Sequence, residues 1–428
     1  MDARQDRSRA RTPRAGPSIA RNFSHTAAAR QEITALTGLR GLAAVWVFLY
    51  HAQVLTKDLD ESVTWPLRFV ASAGYLGVDL FFVLSGFVIS YNYAHEDLHR
   101  SLRRYAFFLW KRLARIWPAH TAALLFFAAG LAIYPVAFDL SFAGFLKSLT
   151  LMQAWAFPAH QIWNPVAWSV SCEWAVYLVF PLIALSTRAL PLPLAAIGIA
   201  CCYLALYGAF VIGPWGDGPY SLGLQRVAAS FTAGVLVYRI WSKRREPINT
   251  AGWFAVVALI LGTSCIDMIA GRSLSVAKAP ILGCAVVYTL ACATGSLSHT
   301  FQRLRYAGCI SYSFYLVHWV GVALAHTVLM AVGASHSVPG VYVAVVASLL
   351  IAIAMADFFY RHIERPAQRL MLTLLQDDPS RRRGDHPRLR RVLACFSDKH
   401  RPLDHAAGHQ PSEPCPPQST RRKTGSTQ

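Results

Sequence analysis

Apolar runs long enough to cross a bilayer, about 20 residues each, recur along most of this chain. They fall near 33–55, 74–93, 116–136, 166–187, 191–212, 221–241, 251–270, 279–297, 309–333 and 338–360. Of the 428 residues, 54% are hydrophobic and only 15% charged, which is not the balance of a soluble domain. The expected fold is all-α: a polytopic membrane helix bundle of about ten transmembrane helices. A shorter stretch, 141–157, is ambiguous.

Orientation follows from the positive charges, which concentrate on the cytoplasmic side of membrane proteins. The first 32 residues hold seven arginines, and segment 94–115 holds Arg100, Arg103, Arg104, Lys111, Arg112 and Arg115. Further basic clusters surround Lys243, Arg303 and Arg361. Keeping all of them inside requires ten crossings with both termini cytoplasmic, and requires 141–157 to be a re-entrant or interfacial segment on the outer side. The net charge of +19 then reads as this cytoplasmic excess, and nucleic acid is not expected as a partner. The expected site is the cell's inner (plasma) membrane.

Three regions are expected: a disordered basic arm (1–32), a membrane domain (33–370) and a disordered polar tail (371–428). The arm lacks the apolar core of a cleavable signal peptide. The tail is too short and polar for a second catalytic domain. Nine cysteines show no zinc or redox spacing, and neither a metal site nor a disulfide framework is expected.

Polar residues inside the spans carry the functional reading, because ionisable groups at membrane depth normally face a protein-lined or wet cavity. Arg40 and His51 are eleven residues apart on one predicted helix. At 100° per residue they point to within about 20° of each other, about 16 Å apart along the axis. The next span, Gly77-Val-Asp-Leu-Phe-Phe-Val-Leu-Ser-Gly-Phe87, places Asp79 at nearly the depth of His51, where a carboxylate would orient an imidazole acting as general base. Ser85-Gly86 reads as a close-packing site, with a catalytic serine as the lesser alternative.

Ser169, Glu173 and Tyr177 recur every four residues and share one face, either as an interhelical hydrogen-bond knot or as an acid–base group. Ser311, Tyr315 and His318 share another, either as a polar seam or with His318 as a second proton-handling group. Arg226 is expected to reach the outer interface. Arg112 and Arg115 present guanidinium groups on one helical face, suited to phosphate oxygens or to plain cytoplasmic anchoring.

These segments resemble, in order, the integral-membrane acyltransferase family 3, whose members O-acylate polysaccharides, peptidoglycan, lipopolysaccharide, nodulation factors and macrolides. The matching stretches are Thr37-Gly-Leu-Arg-Gly-Leu-Ala-Ala with His51, the Gly77–Phe87 segment, Arg112-Leu-Ala-Arg-Ile-Trp-Pro118, Trp168-Ser-Val-Ser-Cys-Glu173 and Ile310-Ser-Tyr-Ser-Phe-Tyr-Leu-Val-His318. The resemblance implies an essential Arg40/His51 pair, with Asp79 and Glu173 beside them. It implies acyl-coenzyme A, usually acetyl-coenzyme A, as co-substrate rather than a resident cofactor. Arg112, Arg115, Ser85 and His318 are the candidate donor contacts. A glycan or other hydroxyl compound is the implied acceptor, and the bilayer is the surrounding partner. The competing class is a multi-span secondary transporter or flippase of a glycan or small anion, which also needs buried ionisable groups but usually shows internal repeats that are not visible here.

Overall fold

The computed structural model describes residues 32–133, 141–155, 163–212, 222–244, isolated positions between 251 and 262, and 275–374. The predicted span at 251–270, nearly all of the basic arm and most of the polar tail lie outside the described residues. The described elements are helical, with no β-strand among them.

Thirteen helices organise the described chain: α1 (Thr34–Ala52), α2 (Glu61–Ser72), α3 (Leu76–Tyr93), α4 (Leu102–Ile133), α5 (Phe142–Leu149), α6 (Trp168–Thr187), α7 (Leu192–Ile212), α8 (Gly223–Lys243), α9 (Ser275–Ala291), α10 (Gly295–Arg303), α11 (Arg305–Ala331), α12 (Val338–Phe359) and α13 (Arg365–Leu374). A π-helical turn, Tyr360–Glu364, joins the last two. Among the described residues, six segments are long and apolar enough to cross a membrane: Thr34–Thr56, Leu76–Tyr93, Pro165–Thr187, Leu192–Ala209, Arg305–Ala331 and Val338–Leu374. That is fewer than the ten expected. α4 and α8 occupy two more of the predicted spans but carry several arginines and lysines each. The predicted span at 279–297 is divided by a break before Gly295, whose φ of +60° favours glycine.

Two local differences matter for the site. α4 begins at Leu102 rather than near 116, so Arg112 and Arg115 belong to the same continuous helix as the apolar residues that follow. At 32 residues this helix is about 48 Å long. Among its described residues the ambiguous stretch contains only α5, eight residues capped by the Ser141 hydroxyl accepting from Gly144 N at 3.0 Å. A helix of that length rises about 12 Å, too short to cross. Ser171 ties down the following turn, donating to the Leu151 carbonyl at 2.8 Å and accepting from Ala154 N at 3.1 Å.

Helix pairs come together where glycine permits backbone contact. α3 and α8 cross with Gly86 against the Phe231 carbonyl and Gly234 against the Val83 carbonyl, so that a β-carbon at either would overlap backbone oxygen. The small-residue reading of Ser85-Gly86 therefore holds for Gly86. The α1–α11 crossing uses the same device, with Gly308 on the Thr37 carbonyl. Association in lipid depends on such close packing, since apolar side chains gain little by leaving lipid for protein.

Gly234→Val should therefore separate α3 from α8, lowering stability by at least about 1–3 kcal/mol. Gly130, with nothing within 4 Å of its would-be β-carbon, should accept the same substitution with little change. Thermal melts of the two variants in detergent check the contrast.

Candidate active site

α1 carries Arg40 and His51 on one side, and the stripe Thr37, Gly41, Ala44, Phe48, His51 meets α11 at three- and four-residue intervals. Phe48 packs edge-on to Phe314 and His318. One turn further along, the His51 imidazole faces that of His318, with Nδ1 to Nε2 2.9 Å apart. His318 is fully buried, and its Nδ1 lies 2.8 Å from the Tyr315 carbonyl oxygen.

These two contacts determine the protonation pattern of a neutral pair. A carbonyl only accepts, so His318 Nδ1 carries hydrogen and donates to Tyr315. His318 Nε2 is then a lone pair, and His51 Nδ1 must donate to it. The remaining His51 nitrogen, Nε2, is left as the unprotonated acceptor of the pair.

Asp79 does not take part in this pair. Gly77 lies against α1, at the Ala43 carbonyl and the Val47 side chain. Two residues onward is a rotation of about 200°, which turns Asp79 away from α1 and into α8. There its carboxylate binds Arg226, with Oδ2 to Nη2 at 2.5 Å and Oδ1 to Nε at 3.2 Å, and accepts from Ser230 at 3.4 Å. The expected Asp79–His51 contact is replaced by this ion pair. Arg226 does not reach an interface: it is 1% exposed, with its guanidinium 5.1 Å over the Trp168 ring.

Beside the imidazole pair, α1, α3, α4, α6 and α11 enclose a cavity of about 820 Å³ of empty space including its mouth. Its polar lining brings together Arg40, Arg112, Arg115, Ser85, Glu173 and Tyr177. Glu173 accepts from Ser85 Oγ at 2.7 Å and from the Tyr177 hydroxyl. The predicted face of α6 is therefore one wall, with Ser169 and Tyr315 joined by a 2.7 Å hydrogen bond on its margin. Tyr315 belongs to both parts of the site: its side chain lines the cavity while its carbonyl holds His318. Neither His318 nor His51 is among the lining residues; the pair adjoins the cavity through Tyr315, whose ring lies 5.9 Å from that of His318.

The arginines differ in what they have left to offer. Arg115 is tied to Glu364, a buried carboxylate that also accepts from Ser313 at 2.6 Å. Arg112 sits 5.4 Å over the Tyr93 ring and makes only a long contact with its hydroxyl, 3.4 Å. Nε of both Arg112 and Arg40 is buried without a hydrogen-bond partner among the described residues. Arg40 and Arg112 are thus the guanidinium groups with capacity for an anion. Sequence reasoning missed Glu364. Its one signal is a lone carboxylate amid Arg361, His362 and Arg365, just after the last apolar run.

An imidazole pair next to an arginine-lined cavity in an apolar helix bundle is suited to taking a proton from a hydroxyl and steadying negative charge on a second reactant. Residues 33–357 match the acyltransferase domain family, and the chain belongs to it. It is accordingly a multi-pass membrane acyltransferase, of the type that transfers groups other than aminoacyl groups. The chain is 26% identical over 378 residues to acyltransferase MdmB of Streptomyces mycarofaciens, spanning 79% of this chain and 92% of that protein. It is 25% identical over 378 residues to the peptidoglycan O-acetyltransferase OatA of Listeria monocytogenes, where the match spans 79% of this chain but 56% of the relative. It is also 26% identical over 300 residues to the exopolysaccharide production protein ExoZ of Rhizobium meliloti, 69% of this chain and 90% of that one. No solved structure matches the chain.

The Asp79–Arg226 pair has the contacts of a structural clamp. Asp79→Asn should strand a buried cation and cost about 3–5 kcal/mol. Asp79→Leu combined with Arg226→Met should recover much of that loss, and thermal unfolding of the single and double variants measures the recovery.

Proposed function

We propose that this protein is an O-acyltransferase that moves an acyl group, most simply acetyl, from cytoplasmic acyl-coenzyme A to a hydroxyl of an exported or surface glycan. The observation that carries this reading is the hydrogen-bonded His51–His318 pair beside a cavity lined by Arg40 and Arg112. The glycan acceptor rests on the similarity to the peptidoglycan O-acetyltransferase and the exopolysaccharide production protein, and coenzyme A on the fit of guanidinium groups to its phosphates.

His51 Nε2 takes the acceptor's hydroxyl proton, and the positive charge is shared with His318 through the Nδ1–H bond. The alkoxide attacks the thioester carbonyl, the carbon–sulfur bond breaks, and the proton held by the imidazole pair passes to the departing thiolate. Arg40, about 16 Å from His51 along α1, binds the coenzyme end of the donor rather than the reacting carbonyl. Arg112 holds the coenzyme phosphates, with Arg115 supporting it through the Glu364 anchor. Glu173 keeps Ser85 and Tyr177 oriented along the wall. The cavity lining runs from Val78 to Ile89 on α3, about 16 Å by helix rise, a length suited to an extended pantetheine arm.

The same reading includes ten crossings with both termini cytoplasmic in the inner membrane. α4 and α8 supply two of the crossings beyond the six segments named above, since Glu364 pairs with Arg115, Asp79 pairs with Arg226 and their other basic residues lie toward the cytoplasmic ends. The thioester then comes from the cell interior, while His51, near the other end of α1, faces the acceptor side.

Purified protein in nanodiscs, given radiolabelled acetyl-coenzyme A and a mixed glycan acceptor, tests this directly. Label should move to glycan with the wild type, and His51→Ala should lower the rate about 10²–10⁴-fold at unchanged protein level. Retained transfer in that variant would sink the base assignment. His318→Ala should reduce kcat about 10–100-fold with little change in KM. His318→Gln should restore part of the rate, because its amide oxygen can accept from His51 Nδ1. Equal activity of the Ala and Gln variants would show that the ring's hydrogen bond is irrelevant.

A further inference from the structure

A second cavity, containing none of the residues given a part in the transfer above, lies where the last turns of α3, α6 and α8 meet, and holds about 630 Å³ of empty space including its mouth. Four of its lining groups define its chemistry: Ser90, His95, Arg188 and Arg239. Arg188 holds Asp97 through one terminal nitrogen at 2.7 Å, leaving its other edge. Arg239 engages only Nε, on the Leu190 carbonyl at 3.2 Å, and its terminal nitrogens have no ion pair among the described residues. His95 Nε2 stands 3.5 Å from the Tyr238 hydroxyl.

Ser90 is the least expected of the four. It is 1% exposed, yet its Oγ has no hydrogen-bond partner among the described residues. A serine within a helix usually bonds back to the carbonyl one turn earlier, and a buried polar atom without a partner calls for a ligand, water or ion. Among the described residues no carboxylate lines this cavity, the nearest charge partner being Asp97 on the outer edge of Arg188. The groups facing it are two guanidinium groups, an imidazole and a free hydroxyl, so its occupant must be rich in acceptor oxygens and negatively charged. A carboxylate would satisfy one arginine fork. The three terminal oxygens of a phosphate monoester suit Arg239, Ser90 and the unpaired edge of Arg188.

We propose that this cavity is a binding site for a phosphate monoester, separate from the cavity that serves the reaction. Two molecules bring that group to the protein: coenzyme A, through the 3′-phosphate of its ribose, and phosphatidic acid within the bilayer. The coenzyme source rests on the donor reading above; the lipid source does not.

The test uses full-length protein in phosphatidylcholine nanodiscs, which supply no monoester. Coenzyme A, 3′-dephospho-coenzyme A and inorganic phosphate are titrated in turn, and thermal midpoints are compared with and without phosphatidic acid in the disc. With the coenzyme as source, coenzyme A binds the wild type about tenfold more tightly than the dephospho form, and Arg239→Gln and Ser90→Ala each shrink that ratio. With lipid as source, the two coenzymes bind alike, and phosphatidic acid raises the thermal midpoint of the wild type but not of the variants. The site is overturned if neither inorganic phosphate, the 3′-phosphate nor phosphatidic acid distinguishes the wild type from either variant. It is equally overturned if a 3′-phosphate preference survives both substitutions. Ser90→Ala removes a single oxygen and protects the test from misfolding of Arg239→Gln. Should the wild type bind neither coenzyme, the donor reading fails, while phosphate and phosphatidic acid still decide the site.

Discussion

An ionised side chain below the membrane surface has only protein atoms to solvate it, and this constraint organises the polar interior here. Asp79 and Arg226 neutralise each other across α3 and α8. Glu364 holds Arg115 and Ser313. Glu173 gathers two hydroxyl donors. With those groups matched, the capacity left in the cavity includes Nε of Arg40 and Arg112, two of the eight buried side-chain atoms without a partner among the described residues. A working site in a membrane bundle is set apart from a structural knot by such residual capacity, because a knot satisfies its members completely.

The partner of His51 changes how the base would operate. A carboxylate partner would fix a cation strongly and hold the proton. A neutral imidazole partner sets the tautomer equally well but stabilises the cation less, so the proton is more readily passed on to a leaving thiolate. The hydrogen-bond chain from the Tyr315 carbonyl through His318 to His51 therefore links the orientation of His51 to the wall of the arginine-lined cavity, since Tyr315 contributes to both. Backbone-close crossings at Gly86, Gly234 and Gly308 keep α1, α3, α8 and α11 near enough for these short contacts to form.

Much of this was legible in the chain. Ser169, Glu173 and Tyr177 do share a wall, because a four-residue spacing specifies a helical face whatever surrounds it. Most apolar runs became helices, and 141–157 contains too short a helix to cross. Membership of the acyltransferase family was also readable from five ordered motifs. The direction of Asp79 was not readable: depth along two neighbouring helices can be counted, but which helix a side chain faces depends on how the neighbours are placed around it. Arg226 and Glu364 escaped for the same reason, each having its partner more than a hundred residues away in sequence.

Local periodicity, apolar length and charge asymmetry thus determined by themselves that the chain is a helical membrane protein with Arg40 and His51 on one side of its first described helix. Those properties follow from backbone geometry and from the energetic penalty of placing polar groups in lipid. Only the tertiary structure decided that His51 meets His318 rather than Asp79, that Arg226 is a buried counter-ion, and that Arg115 is tied to Glu364 while Arg40 and Arg112 retain free capacity. Pairings of that kind are set by the rotation and contact of helices distant in sequence, which no single helix encodes.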